Sequence, residues 1–432
     1  MKSPMIPAAL TALALLAGVP GVASAEEVYF PSLVYRSGAY APNGIPWANG
    51  IADYITMLND RDGGLEGAKI VLEECETGYA TDRGVECYER LKGMGTGAVA
   101  FSPLSTGITF ALTEKAPGDK VPLLTLGYGR SESVDGRVFQ WNFPLLGTYW
   151  DAASILLQHV DKTGGGLKGK KITLLYHDSP YGKEPIPVLQ GLAEPMGYTL
   201  EMIPVTSPGV EQKAAWLQIR RSRPDYVFLW GWGVMNSTAI KEAVAVGYPR
   251  EQMYGVWWAA AEPDVRAAGA DAKGYQGLAL NPSGQDYPVL QEILKHVYDK
   301  GKGSAKREEV GEVLYNRGMI NAMLTLEAVR TAMKATGSKS VTGAQVRDGF
   351  EHLDLSADRI RELGFEGLVS PLKVSCLDHG GARKARVHQW DGSKWVFTSD
   401  WIEGDTAHLR PKMEEAAAKY AAEKGITPAS CG

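Results

Sequence analysis

The sequence is poor in the residues on which metal sites, nucleic-acid surfaces and disulfide scaffolds depend. Its 432 residues include only four cysteines and seven histidines, with no C-x-x-C pair and no histidine spacing typical of metal ligands. The net charge is −5 and no basic run occurs, which argues against nucleic-acid binding. Four cysteines in so long a chain also exclude a small disulfide scaffold. We therefore expect no metal site and no nucleic-acid partner.

Motifs for phosphate binding and catalysis are missing as well. Gly164–Lys170 has the glycine and lysine spacing of a P-loop, but Lys171 stands where Ser or Thr must hold magnesium. Gly231-Trp232-Gly233 opens a helix after a strand, yet Asn236 replaces the third glycine of a dinucleotide fingerprint. His177-Asp178-Ser179 is a consecutive run, which favours a helix-capping loop over a catalytic triad. We expect no cofactor and no catalysis, although a triad assembled from distant segments would escape this search.

Long apolar segments are absent except at the N-terminus. Lys2 supplies a positive charge, Ala8–Val19 is an apolar run, and Ala23-Ser24-Ala25 has the small-x-small pattern cleaved by signal peptidase. The apolar run is shorter than the roughly 20 residues that span a bilayer. No cysteine lies at the cleavage point, so we expect no lipid anchor. We predict that residues 1–25 are a signal peptide and that the mature protein is soluble and periplasmic.

The four cysteines fit an oxidising compartment, in which structural disulfides persist. They allow three different pairings. Cys75 and Cys87 are 12 residues apart, and a bond between Cys376 and Cys431 would tie the C-terminal tail to a strand. We favour the pairing of Cys75 with Cys87 and of Cys376 with Cys431.

What the sequence has in abundance is a regular alternation of predicted strands and helices. The first alternating series covers Val28–Thr125 and the second covers Lys171–Val256. A helical segment at Tyr287–His352 and a β-rich segment at Leu372–Ile402 follow. The first series includes a predicted strand at Ala98–Phe101. Regular βαβ alternation produces parallel sheets with helices on both faces. We therefore predict an α/β fold with two doubly wound parallel-sheet lobes.

Several short motifs follow one another in a characteristic order. They are Arg36–Gly44, Asn59–Gly67, Phe101–Gly107, Thr125–Gly129, Asp178–Gly182, Gly364–Gly367, Pro371-Leu372 and Gln389–Gly392. Each motif is weak alone, but their order and spacing together resemble the leucine/isoleucine/valine-binding family of type I periplasmic binding proteins. The resemblance covers most of the mature chain. The spacing of Cys75 and Cys87 is similar to that of the disulfide in the family's N-terminal lobe.

The resemblance implies two lobes that close on a ligand about a hinge of three crossing strands. We place lobe 1 at residues 26–143 and 282–370, and lobe 2 at residues 144–281 and 371–432. The crossings are expected near Asn142–Leu146, Ala279–Pro282 and Leu368–Leu372. The resemblance also implies that the closed protein, expected to be a monomer, docks on an ABC permease in the inner membrane.

The same resemblance implies a set of ligand-binding residues at the carboxyl ends of strands. Those predicted to contact the ligand are Arg36, Asn43, Ser105, Gly127, Tyr128, Gly129, Tyr181, Trp232 and Trp257. Ser105 would offer a hydroxyl and a backbone N–H to a carboxylate, and Tyr181 would cover the ligand. Four other tryptophans, Trp47, Trp216, Trp230 and Trp390, are expected in the core.

The nature of the ligand depends on Trp257, which stands where amino-acid binders of the family commonly carry an acidic residue. An ammonium group left unpaired in a closed cleft would cost several kcal/mol. We therefore favour an organic acid with an aromatic or bulky apolar part, whose carboxylate Arg36 or Arg130 could pair. Glu262 could replace the missing acid if it reached the cleft. The alternatives are a branched-chain amino acid, an amide or urea-type ligand, a ligand-sensing subunit, or an enzyme.

Overall fold

The computed structural model describes residue 1 and residues 26–431, so the predicted signal peptide lies outside the described residues. The chain first builds lobe 1 around β1 (Glu27–Val34), which buries seven of its eight residues. The remaining elements of this part are α1 (Ala41–Arg61), β2 (Lys69–Glu76), α2 (Thr81–Leu91), α3 (Thr106–Thr113), α4 (Ala116–Asp119), β3 (Leu123–Leu124) and β4 (Asn142–Phe143).

The second part of the chain repeats the alternation of strands and helices. Its elements are α5 (Tyr149–Thr163), β5 (Lys171–His177), α6 (Pro180–Lys183), α7 (Ile186–Met196), β6 (Thr199–Val205), α8 (Lys213–Ser222), β7 (Tyr226–Trp230), α9 (Val234–Ala245), β8 (Met253–Gly255), α10 (Glu262–Ala268) and β9 (Gln276–Ala279). The last part contains α11 (Pro288–Ile293), α12 (Val313–Thr336), α13 (Gly343–Glu351), β10 (Asp354–Leu355), α14 (Ala357–Glu362), β11 (Leu372–Lys373), β12 (Lys384–Trp390), β13 (Trp395–Phe397), β14 (Ile402–Glu403) and α15 (Thr406–Lys424).

Each lobe is centred on a mainly parallel sheet, as predicted. In lobe 2 the strand order is β13-β12-β9-β8-β7-β5-β6, with β5 to β9 parallel and β12 antiparallel to β9. In lobe 1, β1 pairs with β2 and β3 pairs with β4, both in parallel. The segment between these pairs joins them through Val99, which donates to Tyr29, and Phe101, which bridges to Leu123. The predicted strand at Ala98–Phe101 is thus only a single bridge.

The chain passes between the two sheets three times, after β4, after β9 and after β11. The third passage lies slightly later than expected, because Leu372 still pairs with Leu355. The returning helix α12 packs against α1, which places it in lobe 1. The exact domain boundaries stay predictions.

The C-terminal helix α15 is the main element that the sequence did not indicate. It packs on lobe 1, where Tyr420 stacks on Phe139 with ring centroids 4.8 Å apart and Lys424 pairs with Glu114 at 2.7 Å. The helix also contacts α5, so it touches both lobes, and the assignment of 371–432 to lobe 2 stays a prediction. The structure contains disulfides between Cys75 and Cys87 and between Cys376 and Cys431, and the second bond fastens the tail beyond α15.

The helices of the described chain are either too short or too polar to cross a membrane. The four tryptophans expected in the core, Trp47, Trp216, Trp230 and Trp390, are all buried.

Candidate functional site

An aromatic cavity lies between the two lobes and contains about 250 Å³ of empty space. Ten residues line it, and seven of them are tyrosine or tryptophan. Lobe 1 contributes Tyr35, Tyr79, Leu104, Ser105, Thr106 and Tyr128, and lobe 2 contributes Tyr149, Tyr181, Trp232 and Trp258. We call this set the aromatic cavity. This space is smaller than typical ligand pockets, which begin at about 300 Å³, so in this arrangement it can enclose only a small molecule.

The topology explains why these side chains meet. Tyr35 follows β1, Tyr128 follows β3, Trp232 follows β7 and Trp258 follows β8. The carboxyl ends of parallel strands meet at one edge of a sheet, and ligands of doubly wound folds bind outside that edge. Both lobes turn this edge towards each other, so the cavity has one wall from each sheet.

Hydrogen bonds hold the tyrosine rings of the cavity in place. The Tyr35 hydroxyl donates to the Leu104 carbonyl at 3.2 Å, and the Tyr128 hydroxyl accepts from the Leu104 N–H at 2.8 Å. Across the cavity, the Tyr181 hydroxyl donates to the Gly231 carbonyl at 2.8 Å. Burial raises the pKa of each of these phenols, so the rings stay uncharged at neutral pH. The walls are therefore rigid, aromatic and neutral.

The polar end of the cavity is the N-terminus of α3. Ser105 caps this helix, with its hydroxyl accepting from the Ile108 N–H at 3.4 Å. The first N–H groups of a helix have no partners within the helix, and the helix dipole makes this end attractive to anions. Opposite, the indole N–H of Trp232 is buried near the Tyr35 hydroxyl and makes no hydrogen bond of good geometry among the described residues. An N–H group only donates, so a ligand atom that meets it must be an acceptor.

No charged side chain lines the aromatic cavity in the part of the chain that the structure describes. The nearby carboxyl groups are engaged elsewhere. Asp264 accepts from Asn43 and Asn236, each at 3.0 Å, and burial raises its pKa to about 6. Glu262 accepts from the Val313 N–H at 2.9 Å, and burial raises its pKa to about 8. Glu262 thus does not take the place of the acid that amino-acid binders carry.

Four of the predicted ligand residues line the aromatic cavity, namely Ser105, Tyr128, Tyr181 and Trp232. Trp257 and Gly127 lie behind the wall instead. The indole N–H groups of Trp257 and Trp258 both donate to the Gly127 carbonyl, at 2.7 and 2.8 Å. Gly127 is a close-packed position, because a Cβ there would lie 2.6 Å from the Trp257 indole nitrogen. The neighbouring Trp258 forms the wall, and the contact of Trp257 with a ligand stays a prediction.

The remaining predicted residues have other partners. Asn43 is fully buried against Asp264, and the Gly129 N–H donates to the Thr106 hydroxyl at 3.4 Å. Arg36 pairs with Glu74 at 2.7 Å, and Arg130 pairs with Glu132 at 2.8 Å. The structure therefore does not bring Asn43, Gly129 or either arginine to the cavity lining, and their contact with a ligand stays a prediction.

Six lining residues were missed by the sequence analysis: Tyr35, Tyr79, Leu104, Thr106, Tyr149 and Trp258. Four of them are sequence neighbours of predicted positions. Tyr35 precedes Arg36, Leu104 and Thr106 flank Ser105, and Trp258 follows Trp257. Adjacent residues beyond a strand end point in different directions, so the signal located the loop and not the side chain. Tyr79 and Tyr149 carried no signal of their own.

The two lobes are in contact around the cavity. Besides the tryptophan bonds to Gly127, the Tyr40 hydroxyl bonds the His177 ring nitrogen at 2.8 Å. The Ser131 hydroxyl donates to Glu184 at 2.7 Å. Each of these hydrogen bonds joins a residue of lobe 1 to a residue of lobe 2. The structure therefore has the closed arrangement, in which a ligand would be enclosed.

Comparisons with known proteins agree with this geometry. A family described as periplasmic binding protein matches residues 27–394. A crystal structure from the Pseudomonas fluorescens group, described as an ABC transporter permease, is 42% identical, with a TM-score of 0.87 over 95% of this chain and 100% of that one. A search of curated proteins found no match.

Two more distant structures share the fold. A branched-chain amino acid ABC transporter protein from Thermus thermophilus with bound valine is 18% identical, with a TM-score of 0.76 over 89% of this chain and 98% of that one. A solute-binding protein from R. palustris in complex with benzoate is also 18% identical, with a TM-score of 0.68 over 88% of this chain and 98% of that one.

Proposed function

The chain belongs to the periplasmic binding protein family of ABC transporters, and on this premise we propose that it captures a small organic acid with an aromatic or bulky apolar body. It would act as the solute-binding subunit of an importer and would not turn its ligand over. The observation that carries the proposal is the aromatic cavity, with seven aromatic side chains and, within residues 26–431, no charged one.

The aromatic walls favour a flat or bulky apolar body. Each well-placed aromatic pair contributes about 0.5–1.5 kcal/mol beyond the burial of area. Trp232 and Trp258 meet edge to face with centroids 5.4 Å apart, and Trp258 meets Tyr128 at 5.7 Å. These ring contacts build a continuous aromatic wall against which an apolar body can pack.

A carboxylate suits the polar end of the aromatic cavity. The Ser105 hydroxyl, the first N–H groups of α3 and the indole N–H of Trp232 are donors at or near the cavity wall. Hydrogen bonds to a charged acceptor contribute about 1.5–3 kcal/mol each. These donors take the role that the sequence analysis gave to an arginine.

An amino acid fits the cavity less well, because its ammonium group would find no carboxylate in the described lining. Relatives of the same fold bind valine in one case and benzoate in another, so the fold leaves the ligand open. The uncharged aromatic lining supports an acid without an amine.

The proposed role places the mature protein in the periplasm, as a monomer that delivers its ligand to an ABC permease. A ligand-sensing subunit would need the same cavity, and the two roles differ in their partner. Loss of uptake of the bound acid on deletion of the gene supports the importer, whereas unchanged uptake with a lost transcriptional response would support the sensor.

The ligand class is tested by thermal unfolding of the purified protein with a panel of compounds. The panel contains benzoate, 4-hydroxybenzoate, phenylacetate and isovalerate, set against leucine, valine, phenylalanine and urea. A ligand that binds only the folded state raises the melting temperature by mass action. We expect shifts with acids that lack an amine. Shifts with leucine and valine alone would contradict the proposed ligand class.

A further inference from the structure

We propose that Arg317 sets the charge preference of the aromatic cavity, favouring anionic ligands and rejecting cations. This inference rests on the proposed function, because it concerns the ligand of the same cavity. Arg317 lies on α12 and does not line the cavity. It would act as a specificity-determining residue through Trp258, without touching the ligand.

Arg317 is a buried guanidinium with unusually few partners. It is fully buried, its Nε donates to Asn281 at 3.0 Å and its Nη1 donates to the Trp257 carbonyl at 2.6 Å. Its Nη2 is buried without a hydrogen-bond partner among the described residues. Its hydrogen-bond partners are a neutral amide and a backbone carbonyl, and within residues 26–431 it forms no salt bridge with a carboxylate. Buried charges are ordinarily paired, so an unpaired one at this position needs an explanation.

The charge lies directly behind the cavity wall. The Arg317 Cζ is 4.7 Å from the ring centroid of Trp258, and Trp258 lines the aromatic cavity. One aromatic side chain therefore stands between the guanidinium and the ligand space. Charges interact strongly over such distances where water is excluded.

The titratable groups around Arg317 leave its charge in place at neutral pH. Burial lowers the pKa of Arg317 to about 9, so the guanidinium remains protonated. Burial raises the pKa of Glu262 to about 8 and that of Tyr149 well above 10, so both are mainly neutral. His388 is neutral as well, with its pKa lowered to about 3 by burial.

Asp264 is the one neighbouring group that carries the opposite charge, since its pKa of about 6 leaves it ionised at pH 7. Its oxygens accept from Asn43, Asn236 and the Ala261 N–H, none of which lines the cavity. Asp264 thus offsets part of the electrostatic field of Arg317. Unlike Arg317, it has no contact with the ring of Trp258.

The arrangement distinguishes this cavity from aromatic boxes that bind quaternary ammonium ions. Such boxes attract a cation to the negative face of each ring. Trp258 already has a guanidinium over its ring, and a second cation on the ligand side would be repelled by that charge. An anion would be attracted instead, in agreement with the donors at the N-terminus of α3.

The test uses three probes of nearly equal shape and different charge: benzoate, benzamide and benzamidinium. Dissociation constants are measured by calorimetry at pH 7 for the wild type and for Arg317→Gln, which keeps donor groups but removes the charge. We expect the wild type to bind benzoate tightest and benzamidinium weakest. In Arg317→Gln, the ratio of benzoate to benzamide affinity should fall about tenfold or more, and benzamidinium should gain relative to benzamide.

The matched control is Arg330→Gln. Arg330 lies on the same helix but does not line the cavity, and it pairs with Glu327 at 2.9 Å. It should leave both ratios unchanged. If Arg317→Gln weakens the binding of all three probes equally, Arg317 has only a structural role. That result would overturn this inference and leave the proposed function standing. If Arg317→Gln does not fold, the wild-type ranking decides: benzamidinium bound as tightly as benzamide overturns the inference. If neither the three probes nor the acids of the panel bind, both the inference and the proposed function are wrong.

Discussion

At the scale of single residues, the candidate site shows how closely a sequence can locate a loop while missing the side chain that matters. Trp257 and Trp258 follow the same strand, and both donate to the Gly127 carbonyl. Only Trp258 reaches the cavity, because the turn after β8 rotates consecutive side chains apart. Sequence alone gives no measure of that rotation.

Trp232 provides a prediction at this scale. Replacing Trp232 with Phe keeps an aromatic wall but removes the indole N–H that makes no hydrogen bond of good geometry in the described chain. If that N–H meets the ligand carboxylate, affinity for the acid should fall about tenfold to a hundredfold, as expected for a hydrogen bond to a charged group. Calorimetric titration with the best acid of the panel measures the change.

Trp230 is the matched control for this substitution. Its indole N–H is also buried without a partner among the described residues, but the side chain lies in the core and not at the cavity. Trp230→Phe should change the melting temperature and leave affinity within about twofold. Equal losses of affinity in both variants would show that Trp232 has no direct role.

At the scale of elements, the parallel strands and their order were predictable, and the irregular elements were not. The strands β5 and β7 are short apolar runs bounded by turn residues, which is the pattern that predicts buried parallel strands. Helix α15 escaped prediction because only five of its nineteen residues are buried, among many alanines, lysines and glutamates. Its docking depends on Phe139, Arg130 and the Cys376–Cys431 bond, which are remote in sequence.

The loop after β3 yields a prediction about lobe closure. Gly127 has a φ of 71°, and a Cβ there would meet the Trp257 indole nitrogen of the other lobe at 2.6 Å. Gly127→Ala should therefore hinder closure and weaken ligand binding by at least about tenfold, since the binding-competent state becomes rarer. Small-angle scattering with and without ligand should show a smaller contraction than in the wild type.

Gly165→Ala separates this clash from backbone strain. Gly165 has a nearly equal φ of 73°, and none of the described atoms outside its chain neighbours would lie within 4 Å of an added Cβ. Both variants should lose about 1–2 kcal/mol of stability from the left-handed conformation. Only Gly127→Ala should lose affinity, and a similar loss in Gly165→Ala would remove the argument for a clash between lobes.

At the scale of the whole molecule, a titratable carboxyl group lies at the contact between the two lobes. Glu184 of lobe 2 accepts from the N–H and hydroxyl of Ser131 in lobe 1, at 3.2 and 2.7 Å. Burial and the nearby Glu132 raise the pKa of Glu184 to about 8. Such an arrangement could not be foreseen from the sequence, because it exists only where the lobes meet.

The sign of the pH effect follows from this shift. If opening exposes Glu184, its pKa returns towards the ordinary value of about 4.3, so the closed state binds more protons between that pH and pH 8. Closure is then favoured at the lower end of this window and weakened as pH rises. Ligand affinity should fall by about tenfold between pH 5.5 and pH 8, measured by calorimetry.

Glu184→Gln removes the titrating group and keeps an acceptor for Ser131. The ligand affinity of this variant should vary less with pH than that of the wild type. The variant should exceed the wild-type affinity more at pH 8 than at pH 5.5. A pH profile identical to the wild type would assign the effect to other groups, such as Asp264.

The central claim is that the cavity holds an organic acid without an amine, and the ligand that co-purifies with the protein from its native cells tests it most directly. The protein would be purified from that source without refolding and denatured, and the released small molecules identified by mass spectrometry. We predict a carboxylic acid with an aromatic or bulky apolar body, present in a ratio approaching one per chain. Release of leucine, valine or another primary amine in that ratio would contradict the account.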